Sequence, residues 1–488
     1  MKMSDEKSAN IFDLFGGFDY AADVSSYLVS NPLLDKATRP SCAVRPKDAA
    51  KLQQLIRLAA EHRIGLVPVS SSAPHCRGGI LCGAPHVSVD LSAWKNCDMI
   101  DRRNRVCRIE PGVTFGELLD ALEPFGLTVP MPLAPRSGKS VLAAVMDREP
   151  TTWPKSQWDA ADPLCSSEFI FGTGEMFRTG AAGGPGSLEK QRAIGGAQKS
   201  PMGPSQTDFH RVVQGSQGCM GIVTWITIRA ELKPAIEEPR LIGTDEIENL
   251  IPFVYDVQRP WLGEHSFILN RAALAMLVSG DEKVSKKSLK SLPPFVCLQN
   301  IAGFERMPDE RVAYQLQDIE EMAAKRKLNL EISLGAFSAR ELLSVATRPR
   351  GMRDWRHNLK GHCLSVIFIT TLDRAPQFIK IFYEATTNSE VDKETVGIYV
   401  QPVVQNHACH VEFMIPFDPR EPDEVERMGG LERNAVNKLA DGGAFFSRPY
   451  GAAADIAFKR NPLNIDILRK IKNIFDPATV LNPGKFGL

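Results

Sequence analysis

The sequence predicts an α+β fold in more than one domain, and three observations carry that expectation. Strand-like and helix-like stretches alternate along the 488 residues, glycine-rich turns stand directly before β-branched runs, and a Pro-Gly turn follows the last helical stretch. The length suggests two to three domains with a sizeable core.

The elements follow in chain order. Leu52, Leu55, Ile56 and Ala59 share one face behind Pro46, which predicts an amphipathic helix from Pro46 to about His62. Leu66 to Val69 reads as a buried strand, and Val87, Val89 and Leu91, alternating with polar residues, as a half-buried one. Val106-Cys107-Arg108-Ile109 is strand-like. It runs into Pro111-Gly112-Val113-Thr114-Phe115-Gly116-Glu117-Leu118, which opens a short amphipathic helix ending near Gly126. Residues 181 to 206, rich in glycine, serine and proline, read as a long surface loop.

From Gly215 to Thr224, three glycines in seven residues precede a β-branched run, the pattern of backbone brought close to a ligand before a strand. Between about 236 and 430, a helix over Asp309 to Arg326 and strands over Leu364 to Thr371 and Val396 to Val404 suit a sheet capped by helices. In the tail, Asp476-Pro477 halts a helix and Asn482-Pro483-Gly484 makes a turn that carries Asn482 and Lys485 to a fixed place.

Composition excludes several classes. Fifty-eight basic and fifty-eight acidic residues cancel, so no global field draws the chain to nucleic acid or an anionic membrane. The 43% hydrophobic and 24% charged content is that of an ordinary globular chain. No eighteen-residue apolar run occurs and the first residues are charged, from which a cytoplasmic location without a membrane span is expected. The ten cysteines are scattered without Cys-x-x-Cys spacing, so neither zinc nor iron-sulfur ligation is expected, and no metal site is assigned.

Taken together, the Pro111–Leu118, Gly215–Thr224 and Phe475–Leu488 segments resemble, in order and spacing, the vanillyl-alcohol-oxidase/p-cresol-methylhydroxylase (PCMH) type of FAD-binding oxidoreductase, and especially its D-lactate and glycolate dehydrogenase-like branch. The resemblance covers roughly residues 40 to 232 and the last sixty. It implies an N-terminal extension over 1–39, a PCMH-type FAD-binding domain of two α/β subdomains over 40–235, an α+β substrate or cap domain built on an antiparallel sheet over 236–430, and a segment over 431–488 returning to the FAD-binding domain. FAD is the implied cofactor, and the implied reaction is removal of a hydride from a hydroxylated carbon of a 2-hydroxy acid or a hydroxylated aromatic compound. The electrons would pass to a separate acceptor: oxygen, a quinone, or an electron-transfer flavoprotein or iron-sulfur subunit.

The resemblance also implies site residues. Ser70, Ser71, Ser72, Ala73, His75 and Cys76 occupy the place of the pyrophosphate loop, with Pro132, Ser140, Val141, Gly215, Gly221, Ile222, Asn482 and Lys485 as further cofactor contacts. That loop departs from the family because its glycines are largely missing. Serine hydroxyls would have to replace converging backbone N–H groups, Pro74 offers none, and Arg77 can neutralise charge. His75 stands where some relatives attach flavin covalently, while its Ser-Ala-Pro context favours non-covalent FAD. A second departure puts Met146-Asp147-Arg148-Glu149-Pro150 where small residues face the flavin; Arg148 then faces either the ring or an acidic neighbour.

The catalytic candidates are His410, Arg448 and Tyr450. On a strand over 409 to 415, His410 and Glu412 project from one face. Arg448 and Tyr450 are suited to hold a carboxylate or phenolate, and Tyr450 or His410 to act as base. The competing expectation is a catalytically silent paralogous subunit that binds an active flavoprotein, in a homo- or hetero-oligomer, and the two altered loops favour it.

Overall fold

The structure, a computed structural model, describes residues 14–34, 39–75, 85–155, 163–183, 186–193, 209–279, 292–335 and 337–488. Three larger sheets organise the chain. In the first, strands Asp19–Ala21, Cys42–Arg45, His86–Asp90 and Gly65–Val69 lie in that spatial order, parallel except for the Asp19–Ala21 edge pair. Helix Ala49–His62 covers it with Leu52, Leu55, Ile56 and Ala59 fully buried. The helix starts three residues after Pro46, because Asp48 caps it by accepting the Lys51 N–H. Pro46 instead gives its carbonyl to the Trp94 indole. Strand His86–Asp90 is buried on both faces rather than one, since parallel neighbours flank it and both faces are covered.

The second sheet is antiparallel, in the order Cys97–Asp101, Val106–Ile109, Ile222–Arg229, Leu164–Ile170, Met176–Arg178. Helix Phe115–Leu122 opens on a capping box between Thr114 and Glu117, and the chain turns at Gly126 in the left-handed region. Part of the stretch expected as a surface loop is helical, at Gly180–Gly183 and Leu188–Ala193; residues 194–208 lie outside the described residues.

Six antiparallel strands make the third sheet: Ile236–Thr244, Phe295–Gly303, Ser266–Asn270, Gly397–Val403, Ala408–Phe417 and His362–Thr370. Val411, Phe413 and Ile415 point into a core with the helices Leu250–Gln258, Pro308–Lys325, Ala375–Thr386 and Pro422–Asp441. The alternate positions face the other way, where Tyr399 and Met414 pack with helices Arg271–Val278 and Ala339–Ala346 and with Leu133 and Ala134. This period-two choice aims His410 and Glu412 at the FAD-binding-like half of the molecule. The α+β expectation is met, and the substrate-side sheet is antiparallel.

After helices Gly451–Lys459 and Pro462–Phe475, the tail returns to the first sheet. Leu66 donates to Val480 and Asn482 donates to Leu66, so the tail runs parallel beside strand Gly65–Val69.

Candidate active site

A cavity of about 270 Å³ lies between the first two sheets and the inward face of the third. Ser70, Ser71, His75, Pro132, Gly221 and Ile222 line it at one side. His410, Arg448 and Tyr450, from the later part of the chain, line it at the other. Cys76 and Arg77 lie outside the described residues.

The loop after strand Gly65–Val69 is fastened to residues 136–140. Ser72 gives its N–H to the Gly138 carbonyl at 3.1 Å, and Ser71 Oγ accepts the Ser140 N–H at 3.0 Å. A Cβ on Gly138 would stand 1.9 Å from Ser72 Oγ, so glycine is required for this contact. Arg136 donates to the Ser72 and Ala73 carbonyls. Ser72 is therefore spent on the neighbouring loop, while Ser70, Ser71, Arg136 and Lys139 face the cavity. His75 is buried, bound through its carbonyl to Ser30, and burial holds its imidazole near a pKa of about 4, with Arg136 adding to the effect.

Ser140 is a cap, not a wall. Its hydroxyl accepts the Ala143 N–H at the start of helix Val141–Met146 and donates to Pro111, and Val141 is buried in the core beneath. The helix delivers Ala143, Met146 and Asp147 to the cavity. Gly215 sits against the Arg148 guanidinium, which donates to the Ser447 carbonyl at 3.4 Å. Gln217 and Gly218 both take positive φ, and Gln217 is clasped from two sides: its amide donates to Pro449 and its carbonyl accepts from Asn482. Asn482 is fully buried and Lys485 nearly so; they support this loop from beneath without lining the cavity.

The far wall holds two charged clusters. In the first, the Tyr450 hydroxyl donates to Asp147, Lys139 pairs with Glu149 at 2.8 Å, and Arg448 Nη1 lies 3.7 and 3.9 Å from the two acids. Burial raises the proton affinity of Asp147, and Arg448 opposes the shift. In the second, Arg356 binds Glu412 with two parallel 2.7 Å contacts and also reaches Asp354, while Ser365 donates to Glu412. His410 Nε2 is 3.7 Å from Glu412, and its ring packs edge-on against Tyr399. Burial keeps His410 neutral, with a pKa pushed down to about 4. Glu412 thus anchors Arg356 and orients His410, instead of facing a ligand itself.

Several wall residues have no signal in the sequence. Arg136, Lys139, Asp354 and Arg356 belong to no motif; Lys139 and Glu149, ten apart, are linked by a helix and turn whose geometry the sequence does not announce.

These donors fit FAD. Arg136 and Lys139 offer positive charge beside the 70–75 loop, and Ala143, Gly218 and Gly221 leave room for a flat ring against the apolar Leu142, Val213 and Ile222. Arg448 Nη1 is buried without a hydrogen-bond acceptor among the described residues, its two acids standing at ion-pair distance only.

Residues 40–180 match the family described as FAD binding domain, and residues 451–486 the C-terminal domain of FAD linked oxidases. The chain is 21% identical over 457 residues to the glycolate oxidase subunit GlcD of Bacillus subtilis, covering 91% of this chain and 88% of that protein. It is 28% identical over 165 residues to the 4-cresol dehydrogenase [hydroxylating] flavoprotein subunit of Pseudomonas putida, 32% of this chain and 30% of that one. The fold is that of p-cresol methylhydroxylase with substrate bound, at a TM-score of 0.81 and 17% identity over 100% of this chain and 98% of the other.

Proposed function

We propose that this chain, with its FAD binding domain and the fold of p-cresol methylhydroxylase, is a PCMH-type oxidoreductase whose cavity oxidises a hydroxylated carbon, in a 2-hydroxy acid or a hydroxylated aromatic compound, with FAD as cofactor. One observation carries the reading: Tyr450, Arg448 and His410 share a cavity wall opposite the 70–75 loop and the Gly215–Gly221 turn. When bound, FAD supplies the hydride acceptor. The chain's own residues handle the proton and the charge. Tyr450 takes the substrate's hydroxyl proton and passes its own to Asp147, whose proton affinity burial has raised. Arg448 directs Nη1 at negative charge developing on the substrate oxygen, and Leu142, Val213 and Ile222 keep water from the reacting carbon. His410, neutral and held by Glu412, presents a hydrogen-bonding edge to the substrate.

A separate soluble electron acceptor and a cytoplasmic site of action complete this reading; subunit wording in the names of both curated relatives supports a partner. Among the described residues no helix is long and apolar enough to cross a membrane. A silent partner-binding paralogue is the second reading, favoured by the commitment of Ser72 to Gly138.

The test is an absorption spectrum of the purified protein before and after acid precipitation, followed by anaerobic titration with glycolate and with 4-hydroxybenzyl alcohol. We expect flavin in the supernatant and bleaching by one of the two substrates. Flavin left in the pellet would point to attachment at His75. A colourless protein that takes up no added FAD would leave the silent-subunit reading in its place.

A further inference from the structure

A second, smaller cavity of about 70 Å³ lies behind the far wall of the first. Asp354, Arg356, Arg448 and Tyr450 line both cavities, so these four side chains form a partition between them. The remaining lining is mainly apolar and includes Leu34, Leu364, Val366, Val436 and Ala453. Asn31, His357, Ser365 and Glu432 are its polar members besides His362, and of these groups His362 stands out. His362 is 3% exposed, and among the described residues neither of its ring nitrogens has a hydrogen-bond partner; its contact with the Cys363 backbone does not reach hydrogen-bond geometry. Its ring stacks on His357 with centroids 4.4 Å apart and leans on Phe417 at 5.1 Å, which fixes its plane at the start of strand His362–Thr370.

A buried imidazole with both nitrogens unsatisfied is costly unless a ligand or water completes it. Arg356 is bound to Glu412 and Asp354, and Tyr450 to Asp147, whereas Arg448 holds its acids only at 3.7 and 3.9 Å; the two cavities therefore adjoin beside Arg448, which keeps its place at the reacting end.

We propose that the second cavity is the distal compartment of the substrate site, receiving the end of the substrate remote from the reacting carbon: a short uncharged group whose hydroxyl or ether oxygen bonds to His362. The size admits about five heavy atoms, the scale of several waters. An anionic end is disfavoured because Glu432 lines the compartment and Arg356 is already matched by Glu412 and Asp354, so a desolvated carboxylate would meet an acid there. The inference rests on the first cavity being the oxidation site.

The test uses the flavin-loaded protein with ¹⁵N-labelled histidine, and n-propanol and propionate as probes of the compartment. We expect n-propanol to shift the His362 ring resonances and to perturb the flavin spectrum, and propionate to do neither. Ala453→Leu, which fills the compartment, and His362→Phe should each abolish the flavin perturbation; His362→Phe should raise KM for the reducing substrate roughly tenfold, the worth of one buried hydrogen bond, and change kcat less. No shift with n-propanol, an equal shift with propionate, or a shift that leaves the flavin spectrum and KM untouched would each overturn the proposal. Failure of the underlying reading looks different: the protein then lacks flavin absorption altogether, while the histidine shift still reports on the compartment.

Discussion

The Tyr450 hydroxyl is bonded to a carboxylate 303 residues away, and that bond gives the residue its chemistry. A tyrosine at a helix N-terminus is an ordinary feature, and Tyr450 does occupy the N-cap position of helix Gly451–Lys459 without capping it through its side chain. Coupled to buried Asp147, the same hydroxyl is the proton relay proposed above. Tyr450→Phe is expected to lower the rate of flavin reduction by about 10²–10⁴-fold, the usual size of a general-base contribution, while the purified protein keeps its flavin. Anaerobic stopped-flow reduction beside a plain absorption spectrum separates the two; an unchanged rate would remove Tyr450 from the mechanism. His410 was legible as a candidate from the strand periodicity it shares with Glu412, and Arg448 and Tyr450 from the place they hold in the resemblance and their suitability for an anion. Their acidic counterparts were legible only as an anomaly, a charged Met-Asp-Arg-Glu-Pro run where small residues were expected, and sequence has no means of pairing Asp147 with Tyr450 or of choosing between Arg148 and Arg448.

Among the elements, the helix Pro462–Phe475 and the tail after it do the most to hold the site. Lys472 Nζ donates to the Cys219 carbonyl at 2.7 Å, to Asp476 at 2.8 Å and to the Leu481 carbonyl at 3.0 Å, and Asp476 accepts the Val480 and Leu481 N–H groups. This buried node joins the glycine-rich turn to the tail that runs beside strand Gly65–Val69. Gly172 closes it, since a Cβ there would stand 2.2 Å from Asp476 Oδ1. Lys472→Met leaves Asp476 buried without its cation and is expected to cost about 3–5 kcal/mol, seen as a lower melting temperature and a weaker hold on FAD. A variant that melts like the parent would show that the node is not structural. The tail was legible because an Asn-Pro-Gly turn is a local pattern, and the shared face of His410 and Glu412 because strand periodicity is local too. The start of helix Ala49–His62 was misplaced at Pro46 because proline tolerates a helix start, whereas the Asp48 cap decides it.

At the scale of the whole molecule, four buried histidines set the acid limit of stability. Burial depresses His75 and His410 to about 4 and His265 and His362 to about 3. A histidine near its ordinary value in the unfolded chain but depressed in the native one makes the unfolded state bind more protons, so stability falls as pH drops from about 6.5 towards 4. Glu432, raised to about 7, and Asp147 and Glu264, also raised by burial, act in the opposite sense, and the histidines outnumber them. Each net proton is worth about 1.4 kcal/mol per pH unit, so melting temperature is expected to decline steadily between pH 7 and pH 5; a flat profile would mean these imidazoles are not buried neutral. The sequence by itself determined the α+β class and the order of three motifs, because each is written in a contiguous run whose backbone demands are local, and the resemblance those motifs carry implied the flavin cofactor. Only the tertiary structure decided which serines still face the cavity, how its acids and cations pair, and that a second compartment lies behind Arg448. Those depend on contacts such as Arg356 with Glu412 and Tyr450 with Asp147, joining side chains far apart in the chain, where neither spacing nor periodicity carries a signal.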